Sequence, residues 1–183
     1  MYRYAPAIAP ELSPPPIEGL AWSWLDLDSI DRLFEEEPGR RQLYQRYLKL
    51  GHLGAIATVS GEWAACVWMA LPGSPRPPQI PLNLAHRAFW LFSSATQPRF
   101  GGQGLYKFVM RMLIIEAFRR EPLPEILGDI DPNNIPPRRG TKSLGFVPVG
   151  MLDCIYLWVP RLIHVPILWH WDRRASQPPL PEQ

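Results

Sequence analysis

The spacing of apolar positions changes several times along the chain, and each change marks an element. Residues 1–20 show no period. They are rich in proline, including Pro14-Pro15-Pro16, and predict an extended arm. Asp28 or Ser29 can cap a short helix running to Glu37, which Pro38-Gly39 would stop. A second helix is expected over 40–50. Leu43, Tyr44, Tyr47 and Leu48 fall on one of its faces, and Gly51 supplies the C-terminal stop.

The period then shortens. Residues 54–60 and 63–71 hold small, branched and aromatic side chains around Gly61-Glu62, which predicts a hairpin. Residues 72–81 carry five prolines and read as a loop. Residues 88–95 predict another strand, ending near Thr96-Gln97-Pro98. The turn Phe100-Gly101-Gly102-Gln103-Gly104 opens a helix over Leu105–Arg120, in which Leu105, Phe108, Val109, Met112, Ile115 and Phe118 recur at helical spacing. A short strand is expected over 125–130, a loop and short helix over 133–144 stopped by Gly145, and strands over 146–159 and 162–169. Residues 172–183 read as a polar, proline-rich tail. Helices and strands mixed in this order predict one α/β domain around a mixed sheet.

Composition narrows the classes. A chain of 183 residues, 46% hydrophobic, suits one domain with a sizeable core. The 23 prolines follow no Gly-X-Y period. A net charge of +2 is too mild to point to nucleic acid. Cys66 and Cys154, the only two cysteines, have no metal-ligand spacing, so neither a metal nor a disulfide framework is expected. No signal peptide is visible, and the expected location is cytoplasmic. Residues 151–171 are long and apolar, but Asp153, Pro160, Arg161, His164 and Pro166 interrupt them, which favours two buried strands over a membrane span.

The glycine turn carries the first chemistry. Glycines let backbone N–H groups approach a ligand, and a helix start adds unpaired donors and a positive dipole end. Together these suit a pyrophosphate; a plain tight connection is the simpler alternative. No Gly-Lys-Ser/Thr follows, so the turn is not a P-loop, and the third glycine of a dinucleotide fingerprint would fall on Lys107.

Residues 97–105, Gln-Pro-Arg-Phe-Gly-Gly-Gln-Gly-Leu, followed by Asn134 and then Leu144-Gly145-Phe146 eleven residues on, resemble the two linked signatures of the GNAT acyltransferase superfamily. The resemblance spans about residues 88–150. It implies a single GNAT-like domain over 21–171, with a central, mostly antiparallel twisted sheet flanked by helices. It also implies acetyl-CoA or another acyl-CoA as co-substrate and direct transfer of the acyl group to an amine or hydroxyl acceptor. Cofactor contacts would come from Ala95 and Thr96 at the strand end, from Gly101, Gly102, Gln103, Gly104, Leu105 and Tyr106 at the turn, and from Asn134 and the Arg138-Arg139 pair, of which Arg138 is the first candidate. Where the family commonly has arginine or glutamine, this chain has Gly101. Where it has glycine or alanine, this chain has Tyr106. Where it often has a tyrosine that protonates the leaving thiolate, this chain has Thr141.

The candidates for acid–base work are therefore Thr141 and Asp131, each with a plainer reading. A threonine hydroxyl is a poor acid, and Asp131 can cap its own loop. Glu62 reads as a solvated turn residue, His86 as a loop residue and Cys154 as core. Trp63, Trp68, Trp90, Trp158, Trp169 and Trp171 read first as core. Lys107, Arg111, Arg119 and Arg120 form the polar side of the helix, with Lys107 close enough to the turn to meet a phosphate. Two other readings stay open: a catalytically inactive binding module of the same fold, and a membrane-surface protein docked through residues 155–171. A homodimer stays open too.

Overall fold

A computed structural model describes residues 1–75, 87–131, 133–159 and 163–172, and for 135–137, 152–159 and 163–171 the backbone alone. In chain order the elements are β1 (Tyr2–Tyr4), β2 (Leu20–Trp24), α1 (Leu27–Leu33), α2 (Pro38–Lys49), β3 (Leu53–Val59), β4 (Glu62–Ala70), β5 (Phe89–Thr96), a single 3-10 turn (Pro98–Phe100), α3 (Leu105–Arg120), β6 (Ile126–Gly128), α4 (Ile135–Ser143), β7 (Phe146–Pro148), β8 (Met151–Val159) and β9 (Ile163–Asp172).

Seven strands form one mixed sheet in the order β2-β3-β4-β5-β6-β1-β7, and β8 pairs with β9 in a separate hairpin. Every neighbouring pair in the sheet is antiparallel except β5 and β6, which α3 connects as a crossover. The expected α/β fold with a mixed, mostly antiparallel sheet is what the chain adopts.

Several boundaries move for local reasons. Asp26, not Asp28 or Ser29, caps α1: its carboxylate accepts from the Ser29 N–H at 2.8 Å, and the Ser29 hydroxyl accepts from the Asp26 N–H at 2.9 Å. Pro38 starts α2 rather than ending α1, because proline at the first helical position loses no intrahelical hydrogen bond. The N-terminal segment 1–20, read as an extended arm, supplies one strand and leads at its last residue into a second. Tyr2–Tyr4 lies between β6 and β7, with Tyr2 fully buried, and Leu20–Trp24 forms the far edge beside β3. The stretch 146–159 breaks into β7 and β8, which belong to different sheets. His86 and the tail beyond Asp172 lie outside the described residues.

The sheet is covered on both faces. Alternate residues of β4 serve two cores, which is why its sequence is continuously apolar. Val67 and Met69 face α3, where they meet Phe108, Val109, Met112 and Leu113. Cys66 and Trp68 face α1 and α2, among Ile30, Phe34, Tyr44 and Tyr47. On that second face Tyr44 meets Phe34 edge to face and Trp68 at a tilt, with ring centroids 5.0 and 5.1 Å apart. The Tyr44 hydroxyl lies 3.1 Å from the Cys66 sulfur, and burial pushes the Cys66 thiol up to about 11. A thiol in that state is core, not a nucleophile.

His52 is a buried polar member of this face. It is 2% exposed, its ring stands edge-on to Phe92 at 5.2 Å, and neither ring nitrogen has a hydrogen-bond partner among the described residues. Burial pushes it down from 6.5 to about 4. The unfolded chain takes up a proton at 6.5, while the fold refuses it until about pH 4, so stability is complete above 6.5 and falls as pH drops through that window. The melting temperature should decline between pH 6.5 and 4, and His52→Phe should flatten that slope. An equal slope in both proteins would place the acid sensitivity elsewhere.

Candidate functional site

The site arises where two parallel strands part. β5 and β6 pair at Phe89–Ile126, Trp90–Leu127 and Leu91–Gly128, and there the pairing stops. β6 ends at Gly128, while β5 runs on to Thr96. Just past the last pair, Ser93 adopts φ 48, and the register between β4 and β5 shifts between Cys66 and Trp68. A bulge of this kind bends a strand and re-aims its groups. Beyond it, β5 has a ladder partner only on the β4 side, and the backbone edge of Ser94, Ala95 and Thr96 opens onto a cavity of about 530 Å³.

The glycine turn forms the next wall. Gly102 at φ 75 and Gly104 at φ 81 are both left-handed, a conformation that glycine adopts without steric cost. Gly104 caps α3 without a side chain, so the first-turn N–H groups have no partner from the cap. Gly101, Gly102, Gly104, Leu105, Tyr106 and Lys107 all line the cavity. Arg99 pairs with Glu62 across the start of β4, and the Gln97 N–H donates to the Ala64 carbonyl at 2.9 Å, so the loop is tied to the hairpin. The solvated turn residue Glu62 thus has a positioning contact.

The opposite wall is α4. Asn134, Arg139, Gly140 and Ser143 line it. Arg138 does not: it is 2% exposed, and its Nε–H donates to the Tyr2 hydroxyl at 3.4 Å. The guanidinium that reaches the cavity belongs to the next residue. Gln103 is exposed and stands outside the lining, its amide donating to the Arg99 carbonyl at 3.4 Å. Asp131 is also exposed. Its carboxylate accepts from the Asn133 N–H at 2.8 Å and its carbonyl from the Asn134 N–H at 2.9 Å, which is the loop-capping arrangement. Ala95, Thr96, Gly101, Gly102, Gly104, Leu105, Tyr106 and Asn134 are therefore brought together; Gln103, Asp131 and Arg138 are not.

Tyr106 spans the gap between α3 and α4. Its hydroxyl lies 2.9 Å from the Thr141 Oγ1, and Gly140 makes room for the ring: a Cβ there would stand 3.1 Å from two Tyr106 ring carbons. Burial raises the phenol above its usual range, opposed by the hydrogen bonds to Thr141 and Ser94.

Asp129 is the residue that reading the sequence missed. It follows the last paired residue of β6, at the floor of the splay, where a small recess of about 20 Å³ reaches inward. The Trp90 indole N–H donates to its carboxylate at 2.7 Å. The residue is exposed to solvent, although protein surrounds its carboxyl group. Desolvation by those walls raises its pKa; the Trp90 hydrogen bond works against that shift, as does water entering the opening. The only local signal was a carboxylate directly after a buried apolar run, and Asp131 gives much the same signal two residues later.

The residues present fit a coenzyme with a pyrophosphate. Left-handed glycines, an uncapped helix start, Lys107 and Arg139 give close approach and positive potential to a cavity of ligand size. Among the described residues, no group of acidic, histidine or cysteine side chains is arranged to hold a metal, and no helix is long and apolar enough to cross a membrane.

No protein-family model matches the sequence, and no curated protein does. Solved structures do match. A ribosomal-protein-S5-alanine acetyltransferase from Vibrio fischeri superimposes with a TM-score of 0.56 at 13% identity, over 89% of this chain and 97% of its own. An aminoglycoside 6'-N-acetyltransferase from Acinetobacter baumannii gives 0.53 at 15%, over 79% and 99%. A predicted acetyltransferase from Clostridium acetobutylicum, solved with acetyl-CoA, gives 0.52 at 17%, over 70% and 90%. Such identities speak for architecture, and with the splayed strands and glycine turn they establish that this chain has the fold of the GNAT acetyltransferases, in a divergent form.

Proposed function

We propose that the protein moves an acetyl or other short acyl group from acyl-CoA to an amine or hydroxyl acceptor by direct transfer. One observation carries this reading: the open edge of β5 and the uncapped start of α3 border the same cavity. An extended arm ending in a pyrophosphate needs both, one for strand-like pairing and one for charge. The acetyl-CoA bound in the Clostridium acetobutylicum structure supports the same choice.

Bound acyl-CoA would supply the activated acyl carbon and the leaving thiol. The protein supplies position and proton handling. First-turn N–H groups of α3, with Lys107 and Arg139, would hold the phosphates. Backbone groups of Ser94, Ala95 and Thr96 would align the arm along β5. Asp129, held by the Trp90 indole at the recess beside the splay, would take a proton from the acceptor. Desolvation raises its pKa and the indole hydrogen bond opposes that rise; it would act as base in its carboxylate form.

Acetyl-CoA at a hundredfold excess over Kd should raise the melting temperature by roughly 5–10 °C. Gly102→Asp should reduce coenzyme affinity at least about tenfold, because the carboxylate repels phosphate, while Gly102→Asn, of similar shape and uncharged, should retain more of it. No thermal shift at millimolar coenzyme would contradict the assignment.

Asp129→Asn should lower the rate of thiol release, followed across a panel of amines and alcohols, by about 10²- to 10⁴-fold without weakening coenzyme binding. It should also remove the acidic limb of the pH profile. Unchanged turnover in this variant would exclude Asp129 as the base. Coenzyme binding with no release to any acceptor would leave a binding module.

A further inference from the structure

The Tyr106 phenol stands where the coenzyme cavity and the splay meet. It lines both the 530 Å³ cavity and the 20 Å³ recess, the second of which it shares with Leu91, Asp129 and Thr141. Three constraints fix it there. The ring lies against Gly140, where no Cβ could be added without the neighbour giving way. The hydroxyl holds Thr141 Oγ1 at 2.9 Å. Ser94, on the exposed stretch of β5, is its other hydrogen-bond partner. Thr141 is itself 1% exposed, so the phenol is anchored on a rigid side chain in the wall and not on a mobile one.

Acyl transfer needs two proton movements. As the acceptor nitrogen or oxygen bonds to the acyl carbon, it releases a proton to the base. The C–S bond breaks with its electron pair left on sulfur, and the sulfur takes up a proton. An ordinary thiol titrates near 8.5, so a sulfur expelled among apolar walls gains from a nearby donor. The donor must itself be protonated at neutral pH and must face the place where β5 would carry the end of the arm.

We propose that, given the coenzyme assignment above on which this rests, the Tyr106 hydroxyl donates the proton to the departing sulfur, with Thr141 holding the phenol in place. Burial keeps this phenol protonated beyond its usual range, as a donor requires. After transfer, the phenol recovers its proton from water entering as product leaves. The net change is one acyl group moved, one thiol formed and one acceptor proton lost. Thr141 then acts as a positioning residue and not as the acid.

The test needs no acceptor. The thiol of bound CoA is titrated by its ultraviolet thiolate absorbance in the wild type, in Tyr106→Phe and in protein carrying a ring-fluorinated tyrosine at position 106. A hydrogen bond from the phenol stabilises the thiolate, so the bound thiol should titrate about one pH unit lower in the wild type than in Tyr106→Phe. The more acidic fluorinated phenol should lower it further. Equal titration in all three, with CoA bound, overturns the role of Tyr106 and leaves the coenzyme site standing. Failure of CoA to bind the wild type overturns both. Should Tyr106→Phe alone lose CoA, the fluorinated protein against the wild type decides: no difference between them overturns the proposal.

Discussion

The site depends on the parting of two strands. β5 and β6 exchange hydrogen bonds as far as Leu91 and Gly128 and then separate. Backbone polar groups rarely go unpaired when buried, because each costs about 1–3 kcal/mol without a partner. A strand that leaves its neighbour must therefore face solvent or a ligand. Ser93, with its left-handed φ, turns the last residues of β5 outward at that point, and β4 keeps hold of the other side through the Cys66–Ala95 and Ala65–Thr96 pairs. The result is a half-satisfied strand beside a half-satisfied helix start, two complementary demands that one extended anionic ligand meets.

The rest of the molecule keeps that opening from closing. On its far side β6 pairs with β1, the three-residue strand at the N-terminal end of the chain, and β1 pairs in turn with β7. The Met1 carbonyl accepts from the Val149 N–H at 3.0 Å, which extends the same seam. Tyr2 lies fully buried in it, and the Arg138 guanidinium reaches its hydroxyl from α4. So α4, which walls the cavity, is fixed to the strand that supports β6. Tyr106 closes the circuit by joining α3 to Thr141 on α4.

What the sequence revealed follows the range of the interactions. The hairpin at Gly61, the long helix after Gly104 and the stop at Gly145 are local matters of φ and apolar spacing, and the chain shows them plainly. The turn was legible for the same reason, whereas Ala95, Thr96 and Asn134 followed only from the resemblance to the GNAT superfamily. β1 was not, because three residues beside a run of prolines have no period to read, and their place is set by pairing with residues more than a hundred positions away. The Arg138–Arg139 choice depended on the phase of a nine-residue helix whose first turn holds two prolines. Tyr106 looked like an obstacle at the helix start. Only the 35-residue link to Thr141, with the missing side chain of Gly140 beneath it, turns the ring into part of the wall. Asp129 holds the Trp90 indole beside the recess, whereas Asp131 caps its own loop.

The central claim is that one ligand occupies the open edge of β5 and the start of α3 together. An amide NMR titration with CoA reads both at once. The account predicts simultaneous saturable shifts at Ser94, Ala95 and Thr96 and at Gly102, Gly104 and Leu105, with one Kd for both groups. Shifts confined to the glycine turn, with the β5 amides unmoved at saturation, would show a plain anion site and contradict the account.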